Sequence, residues 1–136
     1  MVRRKVTKIE DDNDKHFGDQ NEVIAYLCGI YGLNNQVERY LTLPNITSYW
    51  SEMDRLTAIA ITSNDINLVS KTIDLIENLI IYANMANSSI GIGEYNLAKL
   101  YKKSNNQVVS DEKLSLAKEK LPKLIEARLK IDPFLN

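Results

Sequence analysis

Residues 64–85, NDINLVSKTIDLIENLIIYANM, decide the fold of this chain. Apolar residues recur there at three- and four-residue steps, the spacing that lines one face of an α-helix, at Ile66, Val69, Ile73, Ile76 and Ile80. Ser63 or Asn64 can cap the helix, and the charge of Asp65 favours the positive end of its dipole. The stretch predicts a central core helix.

The apolar face of this helix is wider than one neighbouring helix needs, because five further apolar residues extend it over more than half of the circumference. The residues that widen it, and that we take as candidates for an oligomer or partner interface, are Leu68, Leu75, Leu79, Ile81 and Tyr82. Other helices or other copies of the chain must cover such a face. A homo-oligomer is therefore the most direct prediction.

The composition predicts a single soluble domain in a reducing compartment. The chain has 136 residues, and 44% of them are apolar, which is enough for a real core. Its one cysteine, Cys28, cannot form an intramolecular disulfide and lies in an apolar helical pattern, as a buried thiol does. Asp74 and Glu77 interrupt the most apolar stretch, and the first twelve residues lack the apolar segment of a signal peptide. We expect a cytoplasmic protein without a membrane span.

Charge is segregated along the chain although the net charge is −1. Residues 19–98 carry three basic and nine acidic side chains, whereas residues 99–131 carry nine basic and four acidic ones. This asymmetry favours an acidic or polyanionic partner for the C-terminal part, or pairing with the acidic middle of another copy. Solvated helix faces are the alternative.

The N-terminal half predicts an arm and a small helical unit. Residues 1–18 mix charges without periodicity, which is typical of a disordered arm. Residues 19–63 predict three short helices over about 21–31, 35–41 and 46–61, the first ending at Gly32. The second and third have the proportions of a helix-turn-helix, whose outward-facing candidates for DNA contact are Thr47, Ser48, Ser51 and Arg55. An ordinary helical corner is the alternative, with Trp50 as a core anchor.

The C-terminal half predicts a helical hairpin and a basic helix. Gly91 and Gly93 predict a break after the core helix, so that residues 64–104 form a hairpin whose shorter helix runs over about 94–103. Residues 105–136 predict a loop and an amphipathic helix over 111–131, capped by Ser110 and kinked or restarted at Pro122. Its candidates for docking on a partner are Lys118, Lys120, Lys123 and Arg128. Packing on its own bundle is the alternative.

The sequence offers no motif for enzyme chemistry. It contains one histidine, His16, and one cysteine, and no spacing typical of a metal site or a catalytic triad. It also lacks GxGxxG and GK[ST], the usual nucleotide-binding loops. We therefore predict no catalytic, cofactor-binding or metal-binding residues, and an all-α binding or assembly protein.

The order of these elements resembles the small subunit of bacteriophage terminases, the DNA-packaging component. The resemblance covers residues 21–104 and includes TLPNITSYW, with Pro44 followed by Trp50, and the TSND helix start at residues 62–65. It implies that 66–82 and 95–101 form the hairpin that assembles rings and that the N-terminal helices contact DNA through the candidates above. It also implies that the C-terminal segment engages the large ATPase subunit.

Two other interpretations fit the same sequence. A small inhibitor or adaptor would occupy a host or partner protein through the wide apolar face and the basic C-terminal helix. It would be a monomer or dimer without affinity for DNA. A helix-turn-helix transcription regulator would instead form a dimer whose DNA complex weakens with salt.

Overall fold

The protein is all α-helical in the residues that its structure describes. This computed structural model describes residues 20–42, 48–85 and 91–135. These ranges contain seven α-helices and a closing 3-10 helix, and no strand: α1 Gln20–Ile30, α2 Asn34–Thr42, α3 Tyr49–Thr62, α4 Ile66–Met85, α5 Ile92–Lys103, α6 Gln107–Lys120, α7 Pro122–Ile131 and the 3-10 helix Pro133–Leu135. The prediction of an all-α fold is confirmed. The predicted arm, residues 1–18, lies outside the described ranges.

The centre of the packing is α5, which contacts α3, α4, α6 and the closing 3-10 helix. The central place predicted for α4 is therefore corrected, although α4 belongs to the larger apolar cluster. Helices α3 and α5 lie along α4, and α1 contacts it over a smaller area. The start of α4 is one or two residues later than predicted, because Asp65 is the cap rather than Asn64 or Ser63. The Asp65 Oδ1 accepts hydrogen bonds from the backbone N–H groups of Asn67 (2.9 Å) and Leu68 (3.3 Å).

The short N-terminal helices end and begin near the predicted positions. Gly32 has a φ of +80° after the end of α1, and the backbone N–H of Leu33 donates to the Cys28 carbonyl (2.8 Å), which closes the helix. Helix α3 is capped by Ser48, whose Oγ accepts from the Ser51 N–H (3.2 Å). The sequence predicts Asn45 or Thr47 as the cap of this helix, and both lie outside the described residues.

Helix α5 begins earlier than the glycines indicate. Gly93 lies inside its first turn instead of in the predicted break. A Cβ atom at this position would overlap the Ile80 side chain of α4, 2.7 Å from its Cδ1. The missing side chain therefore lets α5 pack closely on α4, and this tertiary contact outweighs the low helix propensity of glycine.

The predicted basic helix is two helices. Asn106 caps α6, its Oδ1 accepting from the Val109 N–H (3.2 Å), whereas Ser110 lies within the helix and donates to the Ala98 carbonyl (2.7 Å). Pro122 starts α7, which confirms the predicted restart. Leu121 is both the last cap of α6 and the first cap of α7. Helix α6 packs on α5, and α7 packs on α6.

Two apolar clusters form the core. The larger one joins α1 to α5, and the smaller one contains Ile92, Tyr95, Ala117 and Ile125 of α5, α6 and α7. Trp50 of α3 packs against both clusters. The predicted role of Trp50 as a core anchor is confirmed, and the C-terminal helices belong to the same packed body as α3.

Candidate interaction surface

The serines predicted to face DNA are used within helix α3. Ser48 and Ser51 are half-buried and bonded to each other, because the Ser51 Oγ donates to the Ser48 carbonyl (3.0 Å) and the Ser48 Oγ accepts from the Ser51 N–H. These bonds satisfy the first turn of the helix. Thr47, the third polar candidate, lies outside the described residues.

Arg55 turns toward helix α2 instead of outward. Its Nη2 donates to Gln36 Oε1 (2.8 Å) and to the Tyr40 hydroxyl (2.6 Å), and its Nε pairs with Glu52 Oε1 (3.1 Å). The Tyr40 hydroxyl also donates to Glu52 Oε1 (2.5 Å). The Glu52 carboxylate is buried and needs these partners. The outward orientation predicted for Arg55 is therefore wrong in this structure.

The same network perturbs the titration of Tyr40. Burial of the phenol, and then its hydrogen bond to the Glu52 carboxylate, raise the pKa of Tyr40 well above its ordinary value. The network thus keeps Tyr40 neutral between an acidic and a basic group. It joins α2 to α3 through side chains, which is a structural role.

The wide apolar face of α4 is mostly covered by the chain itself. Leu75 and Leu79 are fully buried, so the prediction that they meet a partner is corrected: α4 packs against its own neighbours there. Leu68 and Tyr82 are half-buried, and Leu68 lines a groove of about 310 Å³ between the α1–α2 turn, α3 and α4. Of the five candidates only Ile81 is largely accessible, with 55% of its surface exposed.

Two of the four docking candidates hold the C-terminal helices to the rest of the chain. The Lys120 Nζ lies 2.6 Å from Glu94 Oε2 of α5. The Arg128 guanidinium donates two hydrogen bonds of 2.9 Å to the Asp54 carboxylate of α3, in a bidentate pair. These two side chains therefore pair with acidic residues of their own chain.

Lys123, the third docking candidate, belongs to an exposed face of α7. Leu124, Ala127 and Ile131 lie three and four residues apart and are all exposed, Ile131 by 83%. Lys123 and Lys130 are exposed beside them on the same outward side, while Ile125 is buried on the opposite side. We call these five residues the α7 stripe. Lys118 is exposed on α6, near the start of α7.

Sequence reasoning missed this stripe because it assigned a single apolar face to residues 111–131, although it allowed a restart at Pro122. Leu124 falls on that face with Leu114 and Leu121. The restart at Pro122 gives α7 its own axis, and Leu124 then becomes 45% exposed. Pro122 was the signal that could have found it, since two helices have two independent apolar faces.

A polar hollow adjoins the end of the stripe. It has a volume of about 450 Å³ and is lined by residues of α3, α5, α7 and the chain after α7, among them Asp54, Asn96 and Ile131. The Asn96 Nδ2 donates to Asp54 Oδ1 (2.9 Å), and the Arg128 guanidinium lies 5.3 Å from the centre of the Tyr95 ring. Charged groups of both signs thus line the hollow as neutralised pairs.

Comparison with family models, with curated proteins and with solved structures finds no match to this chain. The resemblance to terminase small subunits stays a prediction.

Three features of the described residues concern metal binding, thiol reactivity and membrane insertion. No group of histidine, cysteine and acidic side chains in ranges 20–42, 48–85 and 91–135 could hold a metal ion. The Cys28 thiol is fully buried, and this burial raises its pKa to about 12, so the reactive thiolate is suppressed. No helix within these ranges has the length and apolarity to cross a membrane.

Proposed function

We propose that the protein is a non-enzymatic helical interaction protein, of the inhibitor or adaptor type, that binds an acidic surface of another protein through the α7 stripe. One observation carries this proposal: Leu124 and Ile131 are exposed beside lysines that make no ion pair with the described residues. Burying apolar surface contributes about 25 cal/mol per Å². The flanking lysines add the orientation and association rate that charge complementarity supplies.

The positions of two sets of side chains favour this function over a DNA-packaging ring or a transcription regulator. Leu75 and Leu79 are covered within one chain, so α4 does not need a second copy. Arg55, the only basic residue among the DNA-facing candidates, is held between Glu52 and Tyr40. A DNA-reading helix needs such a cation at its surface.

The test compares two charge-reversal variants as baits for affinity capture with quantitative mass spectrometry, in lysate of the organism that encodes the chain. Lys123→Glu/Lys130→Glu changes the stripe, and Lys103→Glu/Lys113→Glu makes the same charge change on α5 and α6. We expect a partner with an acidic surface that the wild type and the control retain and the stripe variant loses. That partner, purified, should bind the wild type directly.

Unchanged capture by the stripe variant would contradict the proposal. A labelled DNA duplex titrated at low salt gives a second readout. We expect no change in its fluorescence anisotropy. Tight, salt-sensitive binding would favour the DNA-binding interpretations instead.

A further inference from the structure

The chain after α7 folds back onto α5 through a few polar contacts. The Asp132 Oδ2 accepts a hydrogen bond from the Tyr95 hydroxyl (2.6 Å) and lies 2.9 Å from the Lys99 Nζ. Two residues later, the carbonyl of Phe134 accepts from the Lys102 Nζ (2.7 Å). The Lys102 ammonium also lies 5.7 Å from the centre of the Phe134 ring. The segment is thus bound by its carboxylate, one carbonyl and one ring.

The three residues that hold this segment lie side by side on α5 and are largely covered when the segment is in place. Tyr95, Lys99 and Lys102 are four and three residues apart, so they project from one side of α5. Tyr95 is almost fully buried, and only 17% of the Lys99 side chain is exposed. Rigid, partly desolvated donors of this kind bind a carboxylate more strongly than exposed ones.

The occupant is held less firmly than these three residues. None of the residues Pro133–Leu135 is buried, although the 3-10 helix they form contacts α5 and α7. The polar hollow of about 450 Å³ lies beside Asp132 and Pro133, so the site is larger than the segment that occupies it. Leu135 packs against the smaller apolar cluster, so exchange of the segment would uncover only that edge of the cluster and leave the larger cluster untouched.

We propose that Tyr95, Lys99 and Lys102 form a binding site for an acidic–aromatic peptide segment, Asp-x-Phe, of a partner protein, and that residues 132–134 occupy this site in cis. The chain's own segment shows which chemistry fits: a carboxylate at Tyr95 and Lys99, and an aromatic residue two positions later at Lys102. A partner segment would displace the chain's own. The site is separate from Lys123 and Lys130, so its test and that of the proposed function have distinguishable outcomes.

The test uses a fluorescent peptide with the sequence of residues 130–136, KIDPFLN, titrated into full-length proteins. In the variant Asp132→Ala/Phe134→Ala the chain's own segment loses both anchors. We expect this variant to bind the peptide about tenfold more tightly than the wild type, because its site is no longer occupied in cis. Adding Lys99→Met should weaken binding about tenfold, since the carboxylate loses its ion pair.

Equal affinity of the wild type and the released variant for the peptide would overturn the proposal, as would binding that ignores Lys99→Met. Circular dichroism verifies each fold, and the single variant Phe134→Ala replaces the double variant if the latter unfolds. The proposal would also be overturned if the wild type were a dimer and the double variant a monomer. The segment would then bind the site of a second copy of the chain.

Discussion

The polar contacts of a few buried residues set the orientation of the N-terminal helices. Glu52 is only 8% exposed, and its carboxylate meets the Tyr40 hydroxyl and the Arg55 guanidinium. A buried carboxylate without partners would cost several kcal/mol, so this network favours one placement of α2 on α3 over alternatives with similar apolar packing.

Replacing Tyr40 by phenylalanine tests this network. Tyr40→Phe removes a donor to Glu52 and an acceptor from Arg55, and we expect it to lower the free energy of unfolding by about 1–2 kcal/mol. The control is Tyr26→Phe on α1, a half-buried phenol with no hydrogen bond among the described residues. Urea unfolding followed by circular dichroism measures both, and equal midpoints would show that the network contributes nothing.

Asp132 makes stability depend on pH in the acidic range. Burial alone would raise the pKa of Asp132, but the hydrogen bonds from Tyr95 and Lys99 outweigh it and lower the pKa below 3.8. A lowered folded-state pKa gives stability that is present above the unfolded value and is lost as the pH falls through the folded one. The advantage of the wild type over Asp132→Asn should therefore shrink below pH 3.8.

Thermal unfolding of both proteins at neutral pH and at acidic pH checks this prediction. Asp111→Asn is the control, because Asp111 is an exposed carboxylate on α6. If the difference in melting temperature between the wild type and Asp132→Asn is the same at neutral and acidic pH, the ionised carboxylate is not what holds the segment.

At the level of helices, the sequence could predict where most elements exist but not which side chains meet between them. The periodicity of α4, the stop at Gly32 and the restart at Pro122 are local signals, and all three are found. Arg55 and Gly93 were misplaced because their positions depend on Tyr40 and Ile80, which only tertiary packing brings close to them. Helical spacing identifies a face of a helix and says nothing of what covers it.

Two glycine substitutions separate helix propensity from packing. Gly93→Ala should lower the free energy of unfolding by about 1–2 kcal/mol, because the added methyl group displaces Ile80 from α5. Gly29→Ala on α1 has no atom within 4 Å of the added Cβ, so it should raise that free energy by about 0.5–1 kcal/mol. Urea unfolding measures both. A stabilised Gly93→Ala would mean that α4 and α5 pack less closely.

For the molecule as a whole, the burial of α4 favours a self-contained chain over an assembly, and the assembly state stays a prediction. Leu75, Leu79 and Ile76 are covered by α3 and α5, and Trp50 joins the two apolar clusters into one body. The sequence predicted the width of this apolar face, but whether its own chain or another copy covers it depends on how α3 and α5 fold back, which no local pattern determines.

Light scattering after size exclusion checks the assembly state. We expect a mass near 15.5 kDa for the full-length protein, since the apolar face that predicted an oligomer is satisfied within one chain. Ile81→Ser, which removes the most exposed apolar residue of α4 among the predicted interface set, should leave this mass unchanged. A ring of many subunits that Ile81→Ser dissociates would restore the terminase-like interpretation.

The shared cap between α6 and α7 limits how this protein can evolve. Leu121 closes one helix and opens the next, so no spare residue separates them. One residue inserted after Pro122 would rotate the rest of α7 by about 100° relative to its start, turning Ile125 away from the core. Substitutions can therefore retune Lys123, Leu124 and Lys130 for a new partner, while the length of the chain at this junction stays fixed.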